Sequence, residues 1–81
     1  EVELFPNPAK DVVYVTLYNT KKSTLIKVND VLGQQLYLKE TQPSNSNKNT
    51  IEIPLRNFSP GIYFVTVENE NYSKVYKLKV Q

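Results

Sequence analysis

From residue 12 to residue 18 the chain reads VVYVTLY, and this alternation restricts its fold more than any other feature. Val13, Val15 and Leu17 fall on one face of an extended strand, with Tyr14, Thr16 and Tyr18 on the other. β-Branched and aromatic side chains suit such a pleated, half-buried surface. The same period of two returns along the whole chain, and no segment keeps helical periodicity over two turns.

Punctuation between the runs sets the strand order. Val2–Phe5 makes a short first strand. After a polar turn at residues 19–23, Ile26 and Val28 share a face, Asp30-Val31-Leu32-Gly33 interrupts the pattern, and Leu36 and Leu38 share a face beyond it. Asp bonds its own backbone and Gly accepts positive φ, so residues 24–40 are predicted to be a hairpin turning at Asp30 and Gly33. Residues 41–49 (TQPSNSNKN) form a polar surface loop, and Ile51 and Ile53 a short strand that Pro54 ends or confines to an edge. After the RNFSPG turn, Tyr63, Val65 and Val67 line one face while Ile62 and Phe64 occupy the other, which places this strand in the middle of a sheet. Gly61 permits a turn backbone that a side chain forbids, and Tyr63 fills the core. In the last strand Tyr72, Tyr76, Leu78 and Val80 share a face, while Ser73, Lys77 and Lys79 face water. About seven such strands define an all-β fold, a seven-stranded antiparallel immunoglobulin-like β-sandwich held together by burial between its two sheets.

Composition narrows the chemistry. The 81 residues suit one domain, and they include no Cys, His, Met or Trp. Disulfides, thiolate metal ligands and Ser–His or Cys–His nucleophile pairs are therefore excluded. Ten basic and eight acidic residues leave a net charge of only +2, with scattered lysines, so nucleic acid is not an expected partner. No apolar run approaches the ~20 residues of a membrane-spanning helix. The acidic residues lie on separate strands and turns, and Asp11 and Asp30 are explained as turn residues rather than calcium ligands. No metal, cofactor or catalytic residue is expected. Six tyrosines leave glycan binding open, with at least two expected to face outward; that would suit an immunoglobulin-like accessory module that binds sugar or spaces a catalytic domain. The chain starts at Glu1 rather than Met, and is expected to be a piece of a longer protein.

Three blocks in order carry a more specific signal: FPNPAKD at 5–11, VNDVLGQQL at 28–36 and SPGIYFVTVENENYSKVYKLKV at 59–80. Together they resemble the type A C-terminal sorting domain of cargo proteins of the type IX secretion system in Bacteroidota. The opening motif of that family falls on Pro6, Asn7 and Pro8, its D-x-x-G hairpin turn on Asp30 and Gly33, and its late G-x-Y motif on Gly61 and Tyr63. Its closing strand falls on Lys77, Leu78, Lys79 and Val80. Two positions depart from the pattern: Asn29 stands where an aromatic is frequent, and Phe58 where Leu is usual.

The resemblance implies a single sorting domain over residues 1–81, at the end of a longer secreted protein and joined to an N-terminal cargo. The cargo would pass through the periplasm, the sorting domain would dock on the outer-membrane translocon, and a sortase-like peptidase would remove it after export to the cell surface or medium. Recognition is expected at Lys77, Leu78, Lys79 and Val80, whose strand edge would offer unpaired backbone to a partner, with a dimer through an exposed sheet edge as a further possibility. Pro-Asn-Pro is expected either to fix the direction in which the chain joins its cargo or to turn a corner between sheets, with Asn7 closing a local turn through its side chain.

Overall fold

The computed structural model describes residues 2–19, 21–43 and 45–81; Thr20 of the predicted 19–23 turn and Ser44 of the 41–49 loop lie outside the described residues, as does Glu1. Seven strands follow one another: β1 (Val2–Phe5), β2 (Val12–Tyr18), β3 (Thr24–Asp30), β4 (Gln35–Thr41), β5 (Lys48–Pro54), β6 (Gly61–Glu68) and β7 (Ser73–Val80). They form a three-stranded sheet in the order β1-β2-β5 and a four-stranded sheet in the order β4-β3-β6-β7. All neighbours within the sheets are antiparallel, as the period-two pattern and short turns demand.

The alternation sorts side chains as expected. Val13, Val15 and Leu17 of β2 and Ile51 and Ile53 of β5 are buried from one sheet. Ile26 and Val28 of β3, Val65 and Val67 of β6, and Leu78 and Val80 of β7 are buried from the other. β6 lies between β3 and β7, and β5 is an edge strand ending at Pro54. Thr16 faces away from the core with Tyr14 and Tyr18, yet it is buried, and its hydroxyl meets that of Thr50 on the neighbouring strand at 3.1 Å. Leu38 lies opposite Lys27 on the outer face of its sheet and stays exposed, as does Leu36 beside it. β4 therefore lends the core Tyr37 rather than its two leucines.

Two turns show why their residue types are needed. Asp30 Oδ1 accepts the N–H groups of Leu32 and Gln34, each at 2.9 Å, and Gly33 stands at φ 87° where a Cβ is disfavoured. Asn29, in place of the frequent aromatic, donates from Nδ2 to the Gly33 carbonyl at 3.0 Å and so braces the same turn. Tyr63 is 7% exposed near the start of β6, and its hydroxyl donates to the Ser59 carbonyl at 2.6 Å, four residues back. Phe58 packs edge-on against its ring with centroids 5.1 Å apart. This is the tyrosine corner of immunoglobulin-like sandwiches, which locks the approach to β6.

Removing only the hydroxyl, in Tyr63→Phe, is expected to cost about 0.5–1.5 kcal/mol. Tyr63→Ala also empties a core site and is expected to cost about 3–5 kcal/mol. Urea denaturation of both variants checks the split; equal losses would mean that the hydrogen bond, not the ring, dominates. At the hairpin, Gly33→Ala is expected to cost about 1–2 kcal/mol and Gly33→Asn less, because Asn tolerates positive φ.

Candidate functional site

The first loop and the last strand meet. Between β1 and β2 the chain leaves its own sheet, with cis peptide bonds at Phe5–Pro6 and Asn7–Pro8, and lies along the outer edge of β7. Proline offers no N–H, so within Pro6-Asn7-Pro8 the side chain of Asn7 supplies the polar contacts. Its Nδ2 donates to the Lys77 carbonyl at 2.8 Å, and its Oδ1 accepts the Lys79 N–H at 3.0 Å. Ala9 continues the pairing as a parallel bridge to Val80: its N–H donates to the Lys79 carbonyl, and its carbonyl accepts the Gln81 N–H, both at 2.8 Å. Ala9 is 1% exposed and joins the core, so this clamp ties the β1–β2 loop to the opposite sheet.

Two expectations change here. Asn7 closes no local turn with its side chain, because its partners lie 70 and 72 residues away. The edge of β7 is also not open along its final residues, since the outward backbone groups of Lys77, Lys79 and Gln81 that meet Asn7 and Ala9 are already paired. A single sequence run signals neither fact, because clamp and target stand at opposite ends of the chain. The small residue Ala9 beside Pro8 was the available hint.

Alternation divides the closing motif. Leu78 and Val80 point inward and are buried, whereas Lys77 and Lys79 point outward and are exposed. Lys77 lies opposite Phe64 and Lys79 opposite Ile62, both half-buried, so the lysines border partly apolar surface on the outer sheet face. No ion pair joins Lys77 or Lys79 among the described residues, whereas Lys27 holds Glu68 at 2.7 Å and Lys22 pairs with Glu70. The Lys27 hydrogen bond, followed by its charge, holds the Glu68 carboxyl below the usual carboxylate range, and Lys22 does the same for Glu70. Burial raises the Tyr37 and Tyr72 hydroxyl groups, Tyr72 also through Tyr76.

The other candidates are placed as follows. Asp30, Gly33, Gly61 and Tyr63 serve turns and packing, away from the lysines in role; Gly61 opens β6 at φ 156°. No group of three or more acidic, His or Cys side chains suited to a metal occurs among the described residues. Of the tyrosines, Tyr14 and Tyr18 face outward, but Tyr14 stacks on Phe5 and Tyr18 donates to Glu3 at 2.7 Å. Among the described residues, no helix is long and apolar enough to cross a membrane.

The arrangement defines an immunoglobulin-like β-sandwich whose first loop is clamped to its last strand, and that strand displays a pair of exposed lysines. A family model for the secretion system C-terminal sorting domain matches residues 3–81, and the chain belongs to that family, the sorting signals of type IX secretion. No curated protein matches the chain.

Asn7→Ala removes two hydrogen bonds and is expected to cost about 1–3 kcal/mol, at roughly 0.5–1.5 kcal/mol for each. Native-state amide exchange should lose protection at Lys79 while Gln81 keeps its bond to Ala9; unchanged exchange at Lys79 would show that the clamp is not formed in solution. For Glu68, whose folded pKa is depressed, the stabilising contribution is complete above the ordinary carboxylate range and is lost as pH falls through the lowered value. Glu68→Gln is therefore expected to flatten that part of the acid-side fall in Tm.

Proposed function

We propose that the type IX machinery reads this sorting signal as a folded object, through the outward lysines Lys77 and Lys79 and the sheet face around them. The observation that carries the reading is their state: exposed, free of ion pairs among the described residues, and rigidly registered beside Ile62 and Phe64. An unpaired lysine pair on a stiff strand presents two charges at fixed spacing, and a carboxylate-bearing partner gains both attraction and register from it. Leu78 and Val80 act indirectly, because their burial holds the strand that carries the lysines.

The domain acts as an address label with no chemistry of its own. Residues 1–81 form the terminal domain of a longer protein, and cargo joined ahead of β1 would enter along the edge of the three-stranded sheet. The Pro-Asn-Pro clamp serves as a corner between sheets and also fixes where β1 lies, so both expected uses of that motif are compatible. Transit through the periplasm, docking on the outer-membrane translocon and later removal by a sortase-like peptidase complete the path that this family membership supports.

The double change Lys77→Glu/Lys79→Glu tests the reading. Both side chains are exposed, so Tm is expected to stay within a few degrees, whereas surface delivery of a reporter carrying the domain is expected to fall sharply. Normal delivery of that reporter would defeat the assignment. Loss of delivery together with unfolding would show a structural role instead.

A further inference from the structure

Six large apolar side chains are exposed among the described residues, and four of them, Val31, Leu32, Leu36 and Leu38, stand on the single hairpin of β3 and β4. Folding does not ask for them there. Val31 and Leu32 occupy the two central positions of the Asp30–Gly33 turn, 66% and 90% exposed, where Gly, Pro, Asn, Asp or Ser would serve. Leu36 and Leu38 point from an edge strand to the outer side of the sheet, away from the core that Tyr37 joins. Of the other two, Phe5 already stacks on Tyr14, and Val75 lies on β7 at the far border of the same sheet.

The hairpin tip is firmly held. Gly33 N–H donates to the Asp30 carbonyl and Asp30 N–H to the Gln34 carbonyl, both at 3.0 Å, and the side chains of Asp30 and Asn29 add three more bonds. Two apolar side chains fixed on such a turn, with two more along the strand that leaves it, reach a partner with little ordering left to lose. The same outer face continues across Phe64 and Ile62 to Lys77 and Lys79, so the apolar ridge and the lysines border one surface from opposite sides.

Charge and shape decide what covers the ridge. The charged groups around it are Asp30 at the turn, Glu40 beyond Leu38, and Lys27 opposite Leu38, which Glu68 already matches; Lys39 points to the other side of β4. An anionic lipid surface would meet two carboxylates that have no ion pair among the described residues, with Lys77 and Lys79 three strands away. A second copy offers the same convex tip, and two convex tips cannot enclose each other. Four side chains from each copy also fall short of the ~1,200 Å² that specific stable interfaces bury. A concave socket on a protein encloses the tip from several sides, as a buried apolar anchor requires. The chain belongs to a family of sorting signals, so a protein that reads it is part of its function. We propose that Val31 and Leu32, backed by Leu36 and Leu38, are the apolar anchor by which a protein of the secretion machinery holds this domain, in an apolar socket that closes over the hairpin tip. The inference rests on the reading of the domain as a folded signal and adds a contact that does not depend on Lys77 or Lys79.

The test is export of a reporter carrying the domain in a bacterium that uses type IX secretion, with Val31→Ser/Leu32→Ser compared against the conservative Val31→Ile/Leu32→Met. Both pairs of changes are exposed, so Tm is expected to stay within a few degrees of the parent. Export is expected to fall roughly tenfold or more for the serine pair and to be kept by the conservative pair. Normal export of the serine pair, an equal loss in both pairs, or a loss accompanied by a fall in Tm overturns the inference. Leu32→Trp places the only tryptophan in the chain at the tip. Its emission is expected to be unmoved by phosphatidylethanolamine–phosphatidylglycerol vesicles, and a blue shift would overturn the inference in favour of lipid. Sedimentation is expected to find the free chain monomeric, and self-association abolished by the serine pair would overturn it in favour of a second copy. Each of these results leaves the lysine assignment where it stood, because the lysines are untouched. An unaltered reporter that is not exported would instead strike the sorting reading itself, and this inference with it.

Discussion

The clamp between Asn7, Ala9 and the end of β7 is the contact on which the rest of the architecture turns. Each sheet is internally complete through its own ladders, but a sandwich also needs its sheets fixed relative to each other. Burial supplies the attraction without specifying direction. Directional hydrogen bonds from one sheet's loop to the other sheet's edge supply that specification. They also satisfy backbone groups that an edge strand would otherwise leave open, so one short loop orients the layers and closes a liability together.

That arrangement changes what the last strand can do. A bare terminal strand invites capture of its backbone, and the sequence alone suggests that use for β7. With its final outward groups occupied, the strand offers side chains instead, and these are Lys77 and Lys79. The contrast with Lys27 and Lys22 matters, because those lysines are matched to Glu68 and Glu70 and so spend their charge within the domain. Unmatched charge placed on a rigid strand is available for recognition at little conformational cost.

The strands were legible because period two leaves few alternatives: the buried faces of β2, β3, β6 and β7 follow directly from alternation. The Asp30–Gly33 turn was equally legible, since its bonds are local and each residue type has a known reason. What sequence reading missed is long-range. Local turn chemistry points Asn7 to a neighbour, whereas its partners lie near the other terminus, and alternation places Tyr63 in the core without revealing the bond its hydroxyl makes. The leucines of β4 illustrate a different limit. Leu36 and Leu38 do share one side of the pattern's alternation, yet periodicity says only which residues share a face, not which face meets the opposite sheet. Pairing of Val28 with Tyr37 settles that, and register is a property of two strands.

Under the proposed reading, the closing motif Lys77-Leu78-Lys79-Val80 shows why a recognition sequence on a strand resists simple reading. Adjacent residues point to opposite sides, so four consecutive positions divide into two surfaces with unrelated duties. Leu78 and Val80 bind the strand to the core, and changing either weakens the whole fold. The backbone of Lys77 and Lys79 holds the clamp, but their side chains lie exposed over the outer face of the sheet. A comparison of sequences that weighs all four equally would merge stability with address. The physical distinction is parity along the strand: the residues whose side chains are hidden hold the sandwich together, and those between them, Lys77 and Lys79, are the ones free to carry the recognition proposed for them.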